Sequence, residues 1–316
     1  LFGFTCSGIM LFGISWVFGL TGTTYLTKIL PAMQVISGQP VSAIALLLMM
    51  CGFLFKLAVF PFHFWAPDVY EGASNETTAF ISALPKVAAV AVLARFSALA
   101  APEPGALPLL VGILSVASMC YGNLVALVQT DVKRMLGYSG IAHAGYILLG
   151  IITFESWGFA TSIYYAAGYL FMMLGAFLVI YSVSPEGGNV GIKDLNGLSS
   201  RSPFLALLMA ISMFGLAGIP PFVGFMGKFM LLTSAYKAGF VFLVIIAAVN
   251  TALGIYYYLQ VVRAAYAEAP EATGPIKLSP GARIAGICLA VLVIGLGLIP
   301  ETIINMAFTA LKTVTP

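Results

Sequence analysis

Residues 203–236 read PFLALLMAISMFGLAGIPPFVGFMGKFMLLTSAY, a run whose only charge is Lys228. At 1.5 Å per residue a continuous helix of that length would far exceed the roughly 30 Å hydrocarbon core of a bilayer. Gly218, Pro220 and Pro221 stand in its middle, and prolines there remove backbone donors and open the helix. The stretch therefore reads as two half-helices rather than one tilted span, with a lysine seven residues past the second proline. A similar interruption occurs at residues 55–67, FKLAVFPFHFWAP, where Pro61 and Pro67 follow Lys56. Two Gly/Pro-interrupted apolar segments in corresponding halves point to an inverted-repeat transporter with broken helices lining a polar path.

The rest of the chain agrees with a membrane setting. It is 61% apolar and 8% charged, where soluble domains have roughly 45–50% and about 25%. Nine spans are predicted, all helical because backbone groups in lipid must be satisfied within the segment. They are residues 1–20, 41–60, 78–100, 107–128, 135–154, 159–183, 203–236, 240–262 and 284–299. Counting loops alternately, one side collects Lys133, Arg134, Lys193, Arg201, Arg263, Lys277 and Arg283, the other Lys28, Lys237 and Lys312. The first side is expected to be cytoplasmic, with the loop FWAPDVYEGASNE on it and the C-terminus opposite. The four cysteines are isolated in apolar runs and read as core filler, not disulfide or metal ligands. Net charge is +3 with scattered basic residues, which argues against nucleic acid as a partner. No Walker A, dinucleotide fingerprint, HExxH or cluster-type cysteine set is present. The chain starts at Leu1 without a basic n-region, so it is expected to begin partway through a larger protein.

Four residues are candidates for ion translocation. Lys86 lies about eight residues into the third predicted span, about 12 Å deep, where an unpaired ammonium costs at least about 2.5–3.5 kcal/mol. Lys228 is similarly deep. Lys56 is near its helix end and could instead snorkel to the interface. His143, in GYSGIAHAGYILLG, could relay protons or make an interhelical hydrogen bond on a face of small residues. For the lysines the structural alternative is capping a carbonyl or locking helices together. His63, beside Trp65, reads as interfacial. Asp68 and Glu71 are placed in the loop, Asp68 after Pro67 as a helix N-cap, where they either fix loop geometry or accept protons; Lys133 is an accessory candidate.

The stretches FKLAVFPFHFWAPDVYEGA (55–73), ALPKVAAVAVLARF (83–96), GNLVALVQTDVKRMLGYSGIAHAGYILLG (122–150) and GLAGIPPFVGFMGKF (215–229), in that order, resemble the antiporter-like subunits of respiratory complex I. Among these the subunit N group of bacterial NADH-quinone oxidoreductase is the most similar. PDVYEGA (67–73) discriminates it from the sister subunits L and M and from Mrp-type cation antiporters, and subunit M looks to have Glu where this chain has Lys228. The resemblance implies an all-α, multi-pass protein of the bacterial inner membrane, with about fourteen helices in an inverted repeat, of which residues 1–316 would be the C-terminal two thirds, lacking the first five or so. One missing helix would carry the glutamate that pairs with Lys56. By resemblance Lys56 is the lysine of the first broken helix, Lys86 the connecting lysine, Lys228 the terminal lysine and His143 the histidine of the AHxGY pattern. The implied role is proton translocation driven by electron transfer elsewhere, beside neighbouring membrane subunits that, with the rest of the complex, hold NADH, FMN, iron–sulfur clusters and quinone; no cofactor is expected in this chain. SNETTAF (74–80) departs from the proline-bearing family loop and puts the start of the next helix in question. A cation antiporter subunit and a non-conducting scaffold remain as alternatives.

Overall fold

The computed structural model describes residues 1–36, 39–98, 106–184, 188–268 and 274–312, and among these it is helical throughout with no strands. Seven helices are long and apolar enough to cross a membrane: α1 (Phe2–Thr21), α3 (Pro40–Leu57), α5 (Asn75–Ser97), α6 (Ala106–Ala126), α8 (Ser156–Val183), α12 (Val241–Tyr266) and α13 (Pro280–Leu298). Two more crossings complete the nine. One is α7 (Val132–Ile151), whose twenty residues include Lys133, Arg134 and His143. The other is the pair α10 (Pro203–Ala217) and α11 (Val223–Lys237), fifteen residues each, which together form a discontinuous helix.

The breaks fall in the second and seventh crossings. An offset of five, an odd number, reverses direction, so α3 runs toward the basic end of the bundle and α10 runs away from it. The backbone groups freed at each break find partners, as an apolar surrounding requires. At the first, the Val59 and Ala58 amides return to Leu54 and Phe55 carbonyls, Trp65 Nε1 donates to the Phe55 carbonyl at 2.9 Å, and the Phe60 amide donates to Ser118 Oγ at 3.0 Å. At the second, Gly218 takes the left-handed conformation (φ 85°), and its amide and that of Ile219 close on Phe214. Both breaks contain a cis proline, at Phe60–Pro61 and Pro220–Pro221.

Several expected boundaries move. The stretch placed in a loop after the first break is a helix, α4 (Trp65–Gly72), so Asp68 lies in its first turn instead of capping it. The unusual SNETTAF sequence starts α5 cleanly, because Ser74 is the N-cap and its hydroxyl accepts the Thr77 amide. Helix α7 begins at Val132, earlier than expected, because Asp131 caps it by accepting the Arg134 amide at 2.7 Å. Two short helices carried no long apolar run and were not anticipated: α2 (Leu26–Val35) and the amphipathic α14 (Glu301–Lys312), whose Phe308 meets Trp157 of α8. Residues 99–100, the end of the third expected span, lie outside the described residues.

The loops predicted to share a side do meet. Val132 and Ile192 amides bond Val190 and Thr130 carbonyls, the Gly197 amide bonds Ala267, and the Ile276 amide bonds Arg201. A 3-10 turn (Ile192–Leu195) and the short α9 (Leu198–Arg201) lie in this joined end. At the centre of the bundle α7 and α8 are buried along most of their length, whereas only 17% of α1 and of α13 is covered.

Gly218→Ala is expected to destabilise the protein by about 1–2 kcal/mol, the cost of a left-handed L-residue, with added strain because the new methyl carbon would sit 2.9 Å from Lys228 Cδ. A lowered thermal denaturation midpoint in detergent checks this; an unchanged midpoint would mean that the second break is differently built.

Candidate functional site

Lys86 is the twelfth residue of α5's twenty-three, closer to mid-membrane than its predicted depth, because the helix starts earlier than expected. Its ammonium is buried. It lies 3.4 Å from both the Gly140 carbonyl and Tyr169 Oη, at the long end for hydrogen bonds, and over the rings of Tyr169 and Tyr70, 5.1 and 5.8 Å from their centroids. Gly140 makes room for it: a methyl carbon there would be 2.7 Å from Lys86 Nζ.

Lys228, the sixth residue of α11, is also buried but better satisfied. It donates to the Leu216 and Ala217 carbonyls, both at 3.0 Å, at the C-terminus of α10. A cation placed there complements the helix dipole and binds carbonyls that the break has left free. Its other side faces the Tyr146 ring, 4.9 Å from the centroid.

His143 lies between them, packed against Tyr169 and Tyr146, whose rings face the two ammoniums. Nδ1 is 2.6 Å from Tyr165 Oη and Nε2 is 2.9 Å from Tyr258 Oη, so the ring is fixed by α8 on one side and α12 on the other. Its ring centroid is 5.0 Å from that of Tyr169 and 6.3 Å from that of Tyr146. Lys86, Tyr169, His143, Tyr165, Tyr258, Tyr146 and Lys228 thus form one buried polar row. A side network continues it, with Thr251 donating to Tyr146 Oη, Tyr257 donating to Asn123, and Asn123 donating to Asn250. Among the described residues no carboxylate pairs with either lysine.

The tyrosines were not singled out from sequence. Their signal was present, as Tyr165 and Tyr169 stand four apart in YYAAGY and so share a helix face, and Tyr258 closes the YYY run of α12. Tyrosine's mixed character hid it: the same ring serves equally well as plain core.

Lys56 stands apart. It lies in the last turn of α3 beside the first break, as expected, but it is exposed on the surface of the described chain and is not joined to the row. His63, expected at the interface, is buried because the broken segment folds in against α6. Its ring stacks on Phe60 and meets Phe64 and the edge of Tyr121, and among the described residues neither nitrogen has a hydrogen-bond partner. Asp68 and Glu71 turn toward Arg134, at 2.9 and 2.6 Å, and Lys133 Nζ donates to the Ala73 carbonyl at 2.9 Å. Two adjacent residues of α7 therefore fasten α4, and the acids act in holding geometry. No group of three or more His, Cys, Asp or Glu suited to a metal ion occurs among the described residues.

Residues 1–254 match the family described as NADH:quinone oxidoreductase/Mrp antiporter, TM. NADH-quinone oxidoreductase subunit N 2 from Opitutus terrae is 49% identical over 316 residues, which are 100% of this chain and 66% of that protein. The chain thus spans about two thirds of the length of this relative. Among solved structures, a chain of the respiratory complex I from Thermus thermophilus with bound aureothin has a TM-score of 0.83 at 34% identity, covering 96% of this chain and 66% of that one. A chain of the Mrp complex from a Dietzia species has a TM-score of 0.88 at 23% identity, covering 99% and 66%, a likeness of fold.

The two fastenings of α4 should differ in strength. Asp68→Asn breaks an ion pair whose acid is 72% exposed and is expected to cost under about 1 kcal/mol. Lys133→Met removes the charged donor from the Ala73 carbonyl, which keeps only the 3.5 Å contact from Thr78 Oγ1, and is expected to cost about 1–3 kcal/mol. Denaturation midpoints of the two variants test the order, and the reverse ranking would contradict this account.

Proposed function

Because this chain belongs to the NADH:quinone oxidoreductase/Mrp antiporter transmembrane family, we propose that it is the proton-translocating part of a subunit N, working in the bacterial inner membrane beside other membrane subunits of NADH-quinone oxidoreductase. The observation that carries this reading is the buried row, in which Lys86 and Lys228 flank His143 and no described carboxylate neutralises them. Structural lysines in lipid are ordinarily paired, and unpaired ionisable groups there mark ion paths.

In this reading Lys86 and Lys228 hold protons at their Nζ atoms, and His143 and the tyrosine hydroxyls pass them between. Direct hydrogen bonds join Lys86 to Tyr169 and Tyr165 to His143 to Tyr258. The remaining gaps exceed hydrogen-bond reach and would be bridged by water. Low dielectric couples the sites, since a proton arriving on one lysine raises the energy of charging the other across His143. Such coupling lets a change at one end of the row move a proton at the other. Lys56 would serve the row from its end nearest the first break, and His63 from within that break. NADH, flavin, clusters and quinone would be handled by partner subunits, which supply the driving reaction.

Two other readings share the geometry. A cation antiporter subunit has the same fold, but the Mrp chain is 23% identical against 49% for the subunit N relative. A non-conducting scaffold draws on the capping of α10 by Lys228.

Substitution by a neutral donor separates conduction from scaffolding. Lys86→Gln keeps a hydrogen-bonding group while removing the titrating one. In the assembled complex in inverted vesicles, it is expected to lower NADH-driven proton uptake by about tenfold or more, the effect typical of losing an acid–base group. Normal uptake per NADH oxidised would leave Lys86 a structural residue. Gly140→Ala puts a methyl carbon 2.7 Å from Lys86 Nζ and 2.9 Å from Tyr169 Oη, so it should push both groups out of the row and slow the same uptake, read by dye quenching in the same vesicles; unchanged uptake would mean that this contact does not matter to conduction.

A further inference from the structure

The basic end of the bundle contains a cleft of about 840 Å³, between the α6–α7 turn, the stretch around Lys193 and the last turn of α12. Lys193 and Arg263 both line it and are exposed, and among the described residues neither is in an ion pair. One acid, Asp131, also lines the cleft, but its Oδ1 already accepts the Arg134 amide as the cap of α7. The neutral side chains Asn196 and Gln260 complete the polar mouth.

The floor of the cleft is different in kind. Leu127 and Val128, just past the end of α6, and Ala264 of α12 are apolar, and exposed apolar side chains continue from them along both helices. At the end of α6 these are Leu124 and, in the turn that follows, Val128, 55% and 75% exposed; on α12 they are Val249 and Tyr256, 57% and 59% exposed. Spacings of three, four and seven put Val249, Tyr256, Gln260 and Arg263 on one stripe of α12, and Val128 and Gln260 line the same cleft, so the ridges converge on it. The helices are locked beside each other by Asn123 with Asn250 and Tyr257, which fixes the groove's floor.

We propose that the cleft and its groove bind one anionic phospholipid, the phosphate against Lys193 and Arg263 and the acyl chains along the α6 and α12 ridges. Two cations against one acid leave the cleft net positive above an exposed apolar groove, which complements that amphiphile and no free anion as well. The cleft also lies at the end that collects most basic residues, where the anionic leaflet is expected. Asn196 and Gln260 suit the hydroxyls of a glycerol headgroup. The site depends on the membrane placement of the chain and not on proton conduction.

The test is made on the assembled complex in dioleoylphosphatidylcholine vesicles doped with a photoactivatable phosphatidylglycerol, with crosslinked peptides mapped by mass spectrometry. Labelling is expected on peptides containing Leu124–Val128 and Tyr256–Arg263. It should fall at least fivefold in Lys193→Gln/Arg263→Gln and persist in Lys193→Arg/Arg263→Lys. Excess inorganic phosphate should not reduce it, and photoactivatable phosphatidylcholine should label several-fold less. Should the neutral double variant fail to assemble, Val128→Trp, which fills the groove at an exposed position, must reduce labelling instead. Equal labelling by phosphatidylcholine, competition by phosphate, labelling indifferent to these variants, or crosslinking of a neighbouring subunit to the cleft in place of lipid would each overturn the proposal.

Discussion

At Lys228 two demands of an apolar surrounding meet and satisfy each other. A helix stopped in mid-bundle leaves carbonyls with no amide to accept from, and an ammonium buried nearby has no water to donate to. Placing the Lys228 ammonium 3.0 Å from the Leu216 and Ala217 carbonyls meets both needs with one contact pair. The discontinuity of the seventh crossing depends on this arrangement. The first break is closed by neutral donors, Trp65 and the chain's own amides, with Ser118 receiving Phe60. Lys56, one helical turn before it, is therefore not needed for closure and stays at the surface.

Lys86 shows the other way of holding a charge out of water. Its contacts are long, and two tyrosine ring faces replace a second good acceptor. Ring faces attract a cation without fixing its direction, so this ammonium is less tightly bound than that of Lys228. The tyrosines that surround it come from α4 and α8, and those on His143 from α8 and α12; the packing that makes α7 and α8 the buried centre also assembles the row.

The basic end does mechanical work as well as setting orientation. Lys133 and Arg134 hold α4 by the carbonyl of Ala73, which follows it, and by its two acids, so the half-helix after the first break is anchored to α7, the helix that carries His143. A shift in α4 is thereby linked to the row through a single rigid element. Next to this anchor, hydrogen bonds between the connections around Thr130, Val190 and Gly197 make the end of the bundle continuous, and they frame the cleft lined by Lys193 and Arg263.

The sequence alone determined the membrane class, the nine crossings, both breaks and the placing of Lys86 and Lys228 well inside their crossings, because each follows from runs of apolar residues, their length and the prolines and charges within them. It also determined the common side of the basic loops, since that depends only on parity. Tertiary structure decided which of the candidates belong together. Lys86, His143 and Lys228 converge while Lys56 does not, His63 is buried, and Asp68 and Glu71 bind Arg134. It also supplied the tyrosines, α4, α2 and α14. The short helices were illegible because they carry no long apolar run, and the site because the environment of a polar side chain is set by residues far along the chain, over a hundred positions away for His143 and Tyr258, and no local pattern records which helix will lie opposite.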